Sequence, residues 1–286
     1  MPIIVKDLSY TYNKGLPTEK KALDGITFNA KRGEVISIVG HTGSGKSTLS
    51  QHLNALIIPQ EGTVSVDGLD SASGKAAVRE IRRKVGLVFQ YPEEQIFAET
   101  VEEELAYAPR NRNISEQEIK KIIPKALEAV GLDEALLNMS PYSLSGGQKR
   151  RIAIASVLTA QPDYLVLDEP TAGLDGNASR NLALLMKNIA SEGKGIIHIT
   201  HDIELALNLS DRIIILEDGR LLLSAAPPRF AGYICDNEIS GLAVPEVLEL
   251  SNRLKKAGII DSLVWNPEDL INKIEERGER SGSLFK

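Results

Sequence analysis

The chain has 286 residues, 42% hydrophobic and 25% charged, with a formal net charge of −6. That size accommodates one large α/β domain with an appendage, or two modest domains; the acidic balance disfavours nucleic acid as the main partner, since a long phosphate backbone needs a basic field. A single cysteine, Cys235, excludes an intrachain disulfide and a multi-cysteine metal cage, a usage that fits a reducing compartment.

The opening segment, MPIIVKDLSYTYNKG, lacks a basic stretch followed by a long apolar core, so no secretory signal is expected there. Apolar runs such as RIIILEDG fall far short of the roughly 20 residues a bilayer span requires. KRGEVISIVG is a β-branched run ending in glycine, the pattern of a buried strand. It leads into GHTGSGKST, Gly40 to Thr48, which matches G-x-x-x-x-G-K-[ST], and then into the helix-compatible STLSQHLNAL. Strand, glycine loop and helix in this order make a phosphate cradle, in which backbone N–H groups and a helix N-terminus converge on an anion. Gly40, His41, Thr42, Gly43, Ser44, Gly45, Lys46, Ser47 and Thr48 are therefore the candidate nucleotide-binding residues. Lys46 is placed to reach the β- and γ-phosphates and Ser47 to bind Mg²⁺. His41 occupies a position of the motif that tolerates any residue, and His52 reads as an ordinary helix residue.

GTVSVDG alternates apolar and polar residues and predicts an antiparallel, half-exposed strand. RKVGLVFQ is a further strand ending at Gln90, where an amide can meet Mg²⁺ or a water. SEQEIKKIIPKALEAVGL predicts a helix with Ser115 and Glu118 in capping-box register, kinked or divided by Pro124. LSGGQKRR, Leu144 to Arg151, sets two glycines behind a serine and ahead of Gln148 and three cations. It reads either as a turn before a helix or as a surface that receives a phosphate. DYLVLDEP carries Asp168 and Glu169 to the C-terminal end of a strand, where parallel sheets place their ligands. One carboxylate there can hold Mg²⁺, and the next can orient and deprotonate a water. KGIIHITH buries His198 and brings His201 to a strand end beside Asp202.

Strands alternating with helices predict a mostly parallel sheet covered on both faces. After about residue 222 the character changes to a connector, SAAPPRFAGYICDNEISGLAVP, and two helical segments, with Val247, Leu250 and Leu254 predicted on one face. Cys235 and Trp265 read as packing residues.

Phosphate loop, Gln90, LSGGQ, LVLDEP, AGLD and His201 stand in the order found in ATP-binding-cassette (ABC) ATPases, and the resemblance covers about residues 1–220. It implies a P-loop fold of the ABC type: a parallel core, an antiparallel β subdomain, a helical subdomain at about 91–160 within an ATP-binding domain of 1–222, and an extension of 223–286. It also implies roles. Glu169 becomes the general base, Asp168 and Gln90 sit at the Mg²⁺, and His201 is a switch at the γ-phosphate. Leu144, Ser145, Gly146, Gly147 and Gln148 face the ATP of a second ATPase domain, and Asp175 couples the two sites. Tyr12 is the candidate adenine stacker, with Tyr10 as the alternative. VFQYPEEQIFAETVEEEL with LSGGQKRRIAIASVL and PTAGLD is similar, more narrowly, to the ATPases of energy-coupling factor (ECF) transporters. GHTGSGKST leans toward the second of that family's two paralogous ATPases.

That likeness implies ATP and Mg²⁺, a paralogous or identical second ATPase, a transmembrane coupling protein, and a substrate-binding membrane protein at the cytoplasmic face of the cell membrane. It implies uptake of a vitamin or metal ion, and dimerisation through the extension. Gly176 departs from the family, where proline is common, and should loosen the turn after AGLD. The rival reading is a soluble ABC ATPase acting on nucleic acid or ribosomes. The segment between Ser47 and Leu144 lacks the coiled-coil pattern of the DNA-repair relatives.

Overall fold

Backbone pairing sorts the strands of the computed structural model, which describes residues 1–282, into two sheets. In chain order the elements begin with β1 (Ile3–Tyr12), β2 (Lys20–Ala30), β3 (Val35–Val39) and α1 (Lys46–Leu53). β4 (Glu61–Val66), β5 (Leu69–Asp70), α2 (Lys75–Lys84) and β6 (Val85–Val88) follow. Next come α3 (Val101–Asn111), α4 (Glu116–Ala129), α5 (Gly146–Thr159), β7 (Tyr164–Asp168) and α6 (Gly176–Ser191). The chain continues through β8 (Gly195–Thr200), α7 (Ile203–Leu209), β9 (Arg212–Glu217) and β10 (Arg220–Ala225) to α8 (Pro227–Asp236), α9 (Glu246–Lys256) and α10 (Pro267–Gly282).

The larger sheet has the order β10-β9-β3-β8-β7-β6, all parallel except the edge strand β10. Every residue of β3, β7 and β8 is buried, as expected of parallel strands covered on both faces. His198 of β8 lies in this core with Nδ1 3.2 Å from Ser37 Oγ, and burial drives its pKa down to about 3. It is a neutral packing residue. The smaller sheet, β2-β1-β4-β5, is antiparallel and contains the GTVSV run as β4. Leu8, Leu23, Ile36, Leu49 and Val64 fill the space between the two sheets and α1.

α3, α4 and α5 pack through Leu105, Ile123, Leu127 and Ile152 onto the other side of the parallel sheet. Between Ser47 and Leu144 the helices are short, with nothing resembling a long coiled coil. α4 runs unbroken through Pro124, so the helix is not divided there. The proline removes one ladder bond, while Ile119, Ile122, Ile123, Ala126 and Leu127 still form a continuous buried stripe. Ser115 caps it, accepting the Glu118 N–H at 3.3 Å, which is the serine half of the expected capping box.

The edge strand β10 passes the expected boundary at 222 and ends at Ala225. Beyond it, Phe230, Ile234, Ile239 and Leu248 cluster with Val39, Ile213 and Ile215 of the core sheet. The face of α9 differs from expectation. Leu248 and Ser251 are the buried positions, with Ser251 Oγ accepting the Val264 N–H at 2.9 Å, whereas Leu250 is exposed. A hydroxyl inside this face broke the apolar periodicity on which the sequence reading relied.

Candidate active site

The parallel strands β3, β7 and β8 end at one edge of the sheet, and their C-terminal segments converge there. A cavity of about 350 Å³ opens at this edge. Tyr12, Thr42, Gly43, Gly45, Lys46, Ser47, Thr48, Gln90, Asp168, Glu169 and His201 line it, together with Lys20 and Ala22.

The floor is the loop from β3 to α1. Gly45 caps α1 with φ 105° and has no side chain to occupy the first-turn N–H groups, which are left for a ligand. A Cβ at Gly45 would sit 2.5 Å from the Ala22 carbonyl oxygen, so glycine is required there on both counts. Lys46 is nearly enclosed and donates from Nζ to the carbonyls of Gly40 (2.7 Å) and His41 (2.9 Å). Burial lowers its ammonium from the ordinary lysine range, with Glu169 and Asp168 opposing. Ser44 Oγ, at the centre of the loop, is buried without a hydrogen-bond partner.

At the end of β7, burial raises the Asp168 carboxyl above the usual range, Glu169 adds to this, and the Ser47 and Ser50 hydroxyls oppose it. Ser50 Oγ lies 3.4 Å from Asp168 Oδ2. Glu169 has a left-handed backbone, φ 50°, and its N–H donates to the Ile199 carbonyl at 2.9 Å. Its Oε2 accepts from His201 Nδ1 at 2.9 Å. A carboxylate only accepts, so the Nδ1 of His201 carries the proton. Glu169 and the strand-end histidine are thus already paired.

Tyr12 lines the cavity with its hydroxyl 3.3 Å from Thr48 Oγ1. Tyr10 lies behind it, edge-on to Tyr12 and to His52, each at 4.9 Å between ring centroids. His52 is buried in α1 and bonded through Nδ1 to the Thr48 carbonyl at 2.7 Å.

A glycine loop, a lysine and two carboxylates around one cavity can hold a phosphate and its cation. Residues 23–172 match the ABC transporter family. The chain is 43% identical over 260 residues to the energy-coupling factor transporter ATP-binding protein EcfA2 of Clostridium tetani, covering 90% of each. It is 42% identical over 276 residues to the protein of that name from Symbiobacterium thermophilum, covering 96% of this chain and 94% of the relative. The chain belongs to the ATP-binding subunits of energy-coupling factor transporters.

Solved structures share the fold. The cbiO1 protein of Clostridium perfringens, described as part of the ABC transporter complex cbiONQ, superposes with a TM-score of 0.76 at 33% identity, covering 89% of this chain and 94% of its own. A dimeric cassette in a post-hydrolysis state with ADP and Pi superposes with a TM-score of 0.69 at 34% identity, covering 79% and 98%. As a member of this ECF family the chain is an ATP-hydrolysing transport subunit.

The LSGGQ segment lies away from this cavity, at the start of α5. Ser145 Oγ accepts the Gln148 N–H at 3.3 Å and Gln148 Oε1 accepts the Ser145 N–H at 3.0 Å, a complete capping box. Ser145, Gly146 and Gly147 are exposed, and a Cβ on either glycine would meet nothing within 4 Å. Leu144, by contrast, is buried and anchors the segment in the core. Asp175 caps α6, its Oδ1 accepting the Ala178 N–H at 2.8 Å, and lines no part of the cavity. Gln90 lines the cavity from beyond the end of β6, not from the strand itself.

Two features escaped the sequence reading. Lys20 adds a second cation to the cavity, and an exposed lysine at the start of a strand carries no signal of its own. Arg150, one of the three cations after the signature, points inward. It donates to both Glu93 oxygens (2.9 and 2.6 Å) and to the carbonyls of Pro170 (3.0 Å) and Ala172 (2.8 Å), binding α5 to the segments after Gln90 and after Glu169.

Proposed function

We propose that this ECF ATPase works as one half of a pair, closing on ATP and hydrolysing it to drive uptake of a vitamin or a transition-metal ion through membrane partners. The observation that carries the reading is the convergence of Lys46, Ser47, Gln90, Asp168, Glu169 and His201 on one cavity at the strand ends. Tyr12 stacks on the adenine, and residues 40–48 cradle the triphosphate with Lys46 turning from its loop carbonyls to the β- and γ-phosphates. The Ser47 hydroxyl, the Gln90 amide and the Asp168 carboxylate are hard oxygen donors suited to Mg²⁺. A buried carboxyl held above its ordinary range is stabilised as the anion by such a cation. The ion would supply charge neutralisation at the phosphates.

Glu169 takes a proton from the attacking water, and His201 holds that carboxylate in position. The partner ATPase presents its own signature segment to the γ-phosphate of this site, while Ser145, Gly146 and Gly147 of this chain serve the partner's. Asp175 lies between the two. A paralogous partner is favoured over a second copy, in keeping with the EcfA2 relatives. Residues 223–286 contribute to holding the pair. The chain sits on the cytoplasmic face of the membrane beside a coupling protein and a substrate-binding protein; among the described residues no helix is long and apolar enough to cross a membrane.

Isolation of the Glu169→Gln chain from its native membranes in mild detergent with MgATP tests this assembly. A second cassette ATPase and a polytopic membrane protein are expected to accompany it. Ribosomal or DNA-processing proteins without a membrane protein would overturn the transport assembly.

A further inference from the structure

His41 is the one large side chain in the phosphate loop whose position carries no chemistry in the motif, yet it is not free. The turn that follows α8 lies directly on it. A Cβ built on Gly241 would fall 2.6 Å from His41 Cβ, closer than such atoms approach, and 3.5 Å from its Cα, in ordinary contact. Gly241 also holds φ +67°, a conformation that asparagine and glycine tolerate and other residues resist.

The turn is fixed on both sides. The Ser240 N–H donates to Glu217 Oε1 at 3.3 Å and the Leu242 N–H to the Ile239 carbonyl at 3.2 Å. Ile239 itself is buried with Phe230 and Leu248 of the extension and with Val39, the residue that leads into the phosphate loop. The same cluster takes in Ile203 at the start of α7, just past His201. From below, the Gly219 N–H donates to the Ser44 carbonyl at 3.0 Å, and Asp218 Oδ1 lies 3.5 Å from His41 Nε2. The phosphate loop is thus clamped between the β9–β10 turn and the C-terminal extension.

We infer that the C-terminal extension is part of the nucleotide site, with Gly241 acting as a positioning residue that seats His41 and holds the phosphate loop in its ATP-binding shape. Backbone N–H groups bind phosphate only while their directions converge, so a displacement of the loop by a fraction of an ångström weakens ATP binding without removing any ligating group. Anything that shifts the extension is by the same contact reported to the nucleotide. The inference rests on the ATP-site reading of the cavity.

A double-mutant cycle on the full-length chain tests it. Gly241→Asn keeps the left-handed backbone accessible but brings a Cβ against His41. Its effect is measured with His41 present and again with His41→Gly, where the opposing Cβ is gone. MgATP affinity is read by displacement of a fluorescent ATP analogue, and KM and kcat by phosphate release. With His41 present, Gly241→Asn should weaken MgATP binding about ten-fold, raising KM more than it lowers kcat; with Gly at 41 the same change should stay within about two-fold. Equal losses in both backgrounds would assign the effect to strain at residue 241 and overturn the inference, as would no loss in either. Melting midpoints monitor the fold, and Gly241→Ala, which adds a single carbon, passes through the same cycle if the asparagine variant is unstable. Lys46→Ala separates the two readings. If MgATP displaces the analogue from the Lys46→Ala chain as well as from the unsubstituted chain, the ATP-site assignment fails; if it does not and the cycle shows no coupling, only the role of Gly241 fails.

Discussion

Glu169 holds a left-handed backbone, φ 50°, which a glutamate keeps only where its surroundings compensate. Here the Ile199 carbonyl fixes its N–H and His201 fixes its carboxylate. The result is a carboxylate turned to the cavity by backbone geometry, which no motif spells out; from the residues alone, two carboxylates follow a strand. Tyr12 makes a similar point. Alternation along β1 cannot separate it from Tyr10, two residues away and so on the same face of a regular strand; register shifts between Leu8 and Thr11 break that regularity. With Tyr10 packed on His52 and Tyr12 on the cavity wall, Tyr12→Ala should weaken ATP binding several-fold, corresponding to about 1 kcal/mol of lost stacking, while Tyr12→Trp retains it. Titration of both variants against a fluorescent nucleotide checks this, and equal losses for alanine and tryptophan would remove the stacking role.

At the scale of elements, α5 does two jobs. Its capping box satisfies Ser145 and Gln148 internally and leaves the Gly146 and Gly147 backbone open to solvent. One turn later Arg150 reaches into the protein and ties Glu93, Pro170 and Ala172 together. Burial alone would raise the Glu93 carboxyl, but the guanidinium overrides it and holds the group below its ordinary range. Arg150→Ala leaves that carboxylate partly buried and unpaired, and should cost about 3 kcal/mol of stability at neutral pH. Because the pair depresses Glu93 in the folded state, its contribution is complete above the ordinary glutamate pKa and disappears as pH falls through the folded value. Denaturant melts of both proteins should therefore converge toward acid; a gap that widens there would contradict the assignment. The glycines and the capping box were legible from LSGGQ. The inward turn of Arg150 was not, since three consecutive cations look alike until the helix phase is fixed.

For the whole molecule, strand–helix alternation together with the GHTGSGKST and DYLVLDEP segments outlined the parallel sheet, with β6 ending at Val88, short of Gln90. The extension was read less well, because Leu248, Ser251 and Ile239 pack against residues distant in the chain and leave no clean period. Leu250 and Ile271 are 50% and 55% exposed on α9 and α10, and the proposed pairing through the extension would cover them. Replacing both with aspartate should lower the proportion of paired ATPase seen by light scattering with the partner subunit present, and unchanged pairing would place the contact elsewhere. The central claim is narrower: this cavity hydrolyses ATP with Glu169 as its base. It is tested most directly by measuring phosphate release and MgATP binding side by side for the unsubstituted chain and for Glu169→Gln. The account predicts turnover reduced by about 10²–10⁴-fold with binding retained; turnover that survives the substitution would contradict it.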